Sequence, residues 1–64
     1  MDPNACLSKI DDFLLRQEYG NEVDIWCEDL YDWLASGGFE PDWTQHNLGT
    51  SYYEIRRDFY IKKG

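Results

Sequence analysis

The sequence predicts a mainly α fold: an antiparallel helical hairpin over about 3–19 and 22–36, with a C-terminal segment over about 51–62 packed on it. Three observations carry this expectation. Apolar residues recur at helical spacing in two successive segments. Each segment opens on a capping residue and closes on glycine. The chain has 64 residues, room for one small domain. A chain this short buries only about 60% of the surface its unfolded form exposes, so large side chains must do most of the filling. Three Trp, five Tyr and three Phe are present to do it. Dimerisation is the other common remedy, so both a monomer and a homodimer are compatible with the sequence.

Asp2 is a capping residue, and Pro3 suits the first helical position, where its missing N–H costs nothing. Cys6, Leu7, Ile10, Phe13 and Leu14 then form one buried stripe, with Ser8, Lys9, Asp11, Asp12 and Arg16 on the other side. The helix is expected to end near Glu18 or Tyr19, with Gly20 taking the left-handed conformation. Asn21 is the expected cap of the second helix, and Asp24 lies near its positive end. Val23, Trp26, Cys27, Leu30, Tyr31, Trp33 and Leu34 make a broad apolar face, and Ser36-Gly37-Gly38 stops the helix.

The short connection makes the two helices antiparallel neighbours. This register puts Ile10 near Leu30, Phe13 near Trp26 and Cys27, and Cys6 level with Leu34. Cys6 and Cys27 then stand roughly 10 Å apart along the axis, beyond the ~7 Å Cα separation that a disulfide spans. Two free, buried thiols are expected.

Pro41 forces its predecessor towards an extended form, so Phe39 and Trp43 are expected to fold back over one end of the hairpin. Thr44 to Thr50 reads as a loop, with Asn47 and Gly49 as turn residues. The last segment supports two readings. Tyr53, Ile55, Arg57, Phe59 and Ile61 alternate with Tyr52, Glu54, Arg56, Asp58 and Tyr60, which is a strand period. Ser51-x-x-Glu54 is a capping-box pattern, Tyr52, Ile55 and Phe59 share a helical stripe, and Lys62-Lys63-Gly64 suits a helix end. A lone strand would need a partner, and no second strand of matching length is visible. Helix is favoured; the alternative is an α+β fold whose C-terminal strand pairs across a dimer.

Met1-Asp2-Pro3-Asn4-Ala5-Cys6-Leu7, then Asp32-Trp33-Leu34 and Gly37-Gly38-Phe39-Glu40-Pro41-Asp42, resembles short uncharacterised proteins encoded by bacteriophages and some bacteria. Those proteins begin MDPNA-x-L and carry a W-L-x-x-G-G-F-x-P-D turn. The resemblance covers under a third of the chain and does not reach the segment after Trp43. It implies a phage or bacterial context and no activity.

The formal net charge is −7 and is unevenly spread. Residues 1–50 carry eleven acids against Lys9 and Arg16, a balance of −9; residues 51–64 carry two acids against four bases, a balance of +2. The acidity argues against general binding to nucleic-acid phosphates. No basic, apolar leader and no apolar stretch near the roughly 20 residues of a membrane span are present, so a cytoplasmic protein without a membrane segment is expected.

The residues offer little for catalysis. His46 is the sole histidine and lies in a polar stretch, there is no Cys-x-x-Cys, and Gly37-Gly38 follows a helix rather than preceding one. No metal ligand set, cofactor site or catalytic group is expected. Binding is the remaining class, with a protein partner. Trp26, Tyr31, Trp33, Phe39 and Trp43 cannot all be buried in so small a domain, and aromatics bordered by acids make interface anchors. The candidate partner-binding residues are Asp24, Glu28, Asp32, Tyr31, Phe39 and Trp43. Asp24, Glu28 and Asp32 repeat at about 6 Å along the helix, close to the phosphate spacing of one nucleic-acid strand. This spacing is compatible with nucleic-acid mimicry against a basic host protein, and the phage context that the resemblance implies suggests a small inhibitor or adaptor acting on a host protein. The alternatives are nucleic-acid contact through Tyr53, Arg56, Arg57, Tyr60, Lys62 and Lys63, and a structural piece of a larger assembly.

Overall fold

A computed structural model describes residues 2–63, with Lys63 described in its backbone only. Its elements are α1 (Pro3–Leu15), α2 (Asn21–Ala35), a single 3-10 turn (Trp43–Gln45) and α3 (Asn47–Lys63). The C-terminal segment is helix, and the described residues contain no strand, so the strand-paired dimer falls away. Each helix packs against the other two. The core is Cys6, Leu7, Ile10, Phe13 and Leu14 from α1, Val23, Cys27 and Leu30 from α2, and Tyr53 from α3.

α1 begins as its sequence dictates. Asp2 accepts hydrogen bonds from the Asn4 and Ala5 amides, and Pro3 is buried at the first position. Its end differs from expectation. The helix stops at Leu15, and the left-handed residue is Gln17 (φ 57), not Gly20. The Glu18 amide donates to the Phe13 carbonyl and the Gln17 amide to the Leu14 carbonyl. That is the paired closure known as a Schellman motif. α2 ends identically: Gly38 donates to Trp33 and Gly37, at φ 94, donates to Leu34. Both closures follow an aromatic–leucine pair, Phe13-Leu14 and Trp33-Leu34, packed in or against the core. No apolar residue continues the α1 stripe beyond Leu15, so further turns would bury nothing.

One closure uses glycine at the strained position and the other glutamine. A non-glycine residue in the left-handed region is disfavoured by about 1–2 kcal/mol. Gln17→Gly is therefore expected to stabilise the fold by about 1 kcal/mol, raising Tm by roughly 4–8 °C in a thermal melt. Gly37→Ala should shift Tm the other way.

The start of α2 is also corrected. Gly20 occupies the N-cap, Asn21 is the first helical residue, and no side chain caps the helix. Glu22 and Asp24 in the first turn favour its positive end instead.

The hairpin register differs too. The Cys6 thiol donates to the Trp26 carbonyl at 3.3 Å, so Cys6 lies beside the first half of α2 and not level with Leu34. Both thiols are free and buried, yet no long axial separation keeps them so.

After α2 the chain turns back across α1. Pro41 is buried, and the Asp42 amide donates to Asn4 Oδ1 at 2.6 Å. Phe39 meets the Trp33 ring edge-on at 5.6 Å, and Trp43 stacks on Tyr53 at 5.4 Å. Gly38 leaves room for the Trp33 ring, whose Nε1 donates to the Phe39 carbonyl.

The expected loop over 44–50 is largely helical. α3 starts at Asn47, so Ser51-x-x-Glu54 lies inside the helix and caps nothing, and Asn47 and Gly49 are helical rather than turn residues. The cap comes from another helix: Asp11 Oδ1 accepts the Gly49 amide at 3.1 Å, satisfying a first-turn donor that has no partner within the helix. Gly49 is where α3 crosses α1, with the Leu7 carbonyl 3.1 Å and the Asp11 amide 3.2 Å from where a Cβ would stand. The expected glycine stop at Gly64 lies outside the described residues.

Candidate functional site

α3 has two unlike sides. The inward side carries Gly49 against α1 and Tyr53 in the core, with Tyr52, Arg56 and Tyr60 facing α2. Asp24 holds this seam together. The Tyr52 hydroxyl donates to Asp24 Oδ1 at 2.7 Å, Arg56 Nε lies 3.6 Å from the same oxygen, and the Tyr60 hydroxyl donates to the Asp24 carbonyl at 3.4 Å. The Tyr60 ring tilts against Tyr31 at 5.1 Å, and the Arg56 guanidinium spans the rings of Phe59 and Tyr60.

The outward side carries Leu48, Ile55 and Phe59, at i, i+7 and i+11, on one face of the helix. Ile55 and Phe59 are each 60% exposed. Phe59 stands as a ridge between two hollows. One, of about 450 Å³, lies between α2 and α3 and is lined by Glu28, Arg56, Phe59, Tyr60 and Lys62. The other, of about 240 Å³, lies on α3 alone, between Ile55, Asp58, Phe59 and Lys62.

The predicted partner-binding residues divide. Asp24 is committed to Tyr52 and Arg56, so the Asp24–Glu28–Asp32 ladder does not stand free as a row of three charges. Glu28 and Asp32 are exposed, and Glu28 rims the larger hollow. Tyr31 and Trp43 are half-buried against Tyr60 and Tyr53, while Phe39 is 60% exposed. All three tryptophans are half-buried, and Tyr19 is the aromatic hydroxyl side chain left open.

Of the candidate nucleic-acid contacts, Tyr53 is 1% exposed and offers no face for a base to stack on. Arg56 and Tyr60 are engaged with α2, Arg57 and Lys62 are exposed, and the Lys63 side chain lies outside the described residues.

The sequence groups Tyr52, Ile55 and Phe59 as one helical stripe; in the structure Tyr52 turns towards α2, while Ile55 and Phe59 face outward. The missed signal is Gly49 four residues before Tyr53: a glycine and an aromatic on one row mark a close helix crossing, and that row faces inward.

Burial pushes the Cys6 thiol to about 11 and the Cys27 thiol to about 12, with nearby Asp29 and Asp24 adding to the respective shifts. Burial also raises the Tyr52 and Tyr53 phenols to about 12, helped at Tyr52 by its bond to Asp24. These four groups stay protonated in the folded chain at pH values where the unfolded chain ionises, near 9 for thiols and 10 for phenols. Their stabilisation is fully present below pH ~9 and is lost as pH rises towards 12, by about 1.4 kcal/mol per pH unit for each proton released only on unfolding. The urea midpoint should accordingly start to fall near pH 9 and fall most steeply above pH ~10, where thiols and phenols alike ionise only in the unfolded chain. At pH 8 neither thiol should react with a thiol reagent until the chain unfolds.

Among the described residues no three His, Cys, Asp or Glu side chains group as metal ligands, and no helix is long and apolar enough to cross a membrane. The chain matches no protein-family model, and neither the curated proteins nor the solved structures give a match.

Proposed function

We propose that the chain is a non-enzymatic protein-interaction module whose contact surface is the outward side of α3. The observation that supports it best is the ridge of Phe59 between two hollows, continued by Ile55 and Leu48 along a helix whose other side is fully occupied. Aromatic anchors beside pockets carry most of the energy in protein interfaces. Glu28 and Lys62 give the rim charge that fixes orientation. Glu28, Asp32 and Phe39 are the earlier candidates that remain open to a partner; Asp24, Tyr31 and Trp43 support the surface from within. In the phage or bacterial setting implied by the opening motif and the Gly37–Asp42 turn, the module acts in the host cytoplasm as an inhibitor or adaptor of a host protein.

The test is affinity capture from a bacterial lysate, with and without nuclease and at low and high salt. A protein retained through nuclease and salt, and released by the Ile55→Ser/Phe59→Ser pair, is the expected result. Capture that disappears with nuclease would instead assign the contact to nucleic acid, through Arg57 and Lys62.

A further inference from the structure

We infer that one occupant of this face is a second copy of the same chain, docked antiparallel with Phe59 of each copy seated in the α3 hollow of the other. The inference rests on reading the outward side of α3 as a contact surface. Ile55, Asp58, Phe59 and Lys62 ring the hollow of about 240 Å³. They stand at i, i+3, i+4 and i+7 on one helix. That is the four-residue hole that receives a single knob in helix–helix packing. Phe59 projects beside it and is itself a knob. One patch therefore offers both halves of the contact, as a two-fold interface requires, since the same surface must meet itself.

Charge selects the direction. Asp58 precedes Lys62 by one turn on the rim of the hollow. Antiparallel docking sets Asp58 of one copy beside Lys62 of the other, twice. Parallel docking sets like charge against like. Antiparallel helix dipoles favour the same choice. The −9 balance of residues 1–50 opposes close approach of two bodies. A single-helix seam is also small beside the roughly 1,600 Å² of a standard interface, so the pairing is weak. Weak pairing suits a face that also serves a second partner, because the two copies compete with it and cover the apolar ridge when it is absent.

Sedimentation equilibrium on the full chain, from about 10 μM to 1 mM, reads the dissociation constant directly. The weight-average mass should climb from 7.6 kDa towards twice that value. Phe59→Ala and Asp58→Lys should each weaken pairing at least ~10-fold, and the double variant Asp58→Lys/Lys62→Asp should restore it to within ~3-fold. All three positions are exposed, so circular dichroism should report an unchanged helix content. A chain that stays at 7.6 kDa throughout, or a dimer indifferent to the charge exchange, overturns the inference. If the chain is monomeric while Phe59→Ala still releases a captured protein, self-pairing falls and the contact-surface reading stands. If Phe59→Ala changes neither, both fall.

Discussion

Replacing Tyr53 by alanine is expected to leave the chain largely unfolded at ambient temperature. Among the described residues Tyr53 is the largest fully buried side chain and the sole α3 member of the hydrophobic core. Its ring touches the Trp43 ring, which ties down the segment between α2 and α3. Removing a buried aromatic costs about 3–5 kcal/mol, from lost transfer energy and the cavity left behind. A chain of 64 residues has a total stability of only about 3–10 kcal/mol. The loss is therefore comparable to the whole. Tyr53→Phe keeps the ring and should change stability by less than about 1 kcal/mol. Urea titrations of the two variants separate them cleanly. An alanine variant as stable as the parent would mean that α3 is not docked through Tyr53.

Gly49→Val should destabilise by about 3 kcal/mol, although valine is a better helix former than glycine by several tenths. The added Cβ would stand 3.1 Å from the Leu7 carbonyl and 3.2 Å from the Asp11 amide. Both are helix backbone, so neither can swing aside. The helices must separate, which also breaks the hydrogen bond from the Gly49 amide to Asp11. Gly49→Ala divides the same terms more evenly and should lose about 1 kcal/mol net. An increase in urea midpoint for Gly49→Val would show that α3 is free to shift along α1.

The parts of the fold that local chemistry determines were legible in the sequence. Asp2-Pro3 starts α1 and Gly37-Gly38 ends α2, because a cap and a positive φ depend on the residue at that place. The end of α1 was not legible. Gln17 is carried into the left-handed region by closure around Phe13 and Leu14, and nothing at position 17 itself announces this. The start of α3 was hidden for a different reason. Its donor is satisfied by Asp11, 38 residues earlier, and a glycine that permits a helix crossing reads locally as a turn. The candidate surface shows the same division. The spacing of Ile55 and Phe59 on one face was visible, but that this face is left open while Tyr52 turns to Asp24 depends on how α3 packs on α1 and α2. Asp24 was legible as a charged helix residue, whereas its capture by Tyr52 and Arg56 belongs to tertiary structure.

The two sides of α3 do different work: Tyr53 holds the fold, and Phe59 stands exposed on the surface proposed to meet a partner. The most direct measurement compares Phe59→Ala with the parent chain, reading thermal unfolding and partner capture on the same preparations. Phe59→Ala should change stability by no more than the roughly ±0.5 kcal/mol expected of a surface substitution, and should abolish capture. A Tm lowered as far as a core truncation lowers it, or capture that survives intact, would contradict the division of the helix into a structural and a binding side.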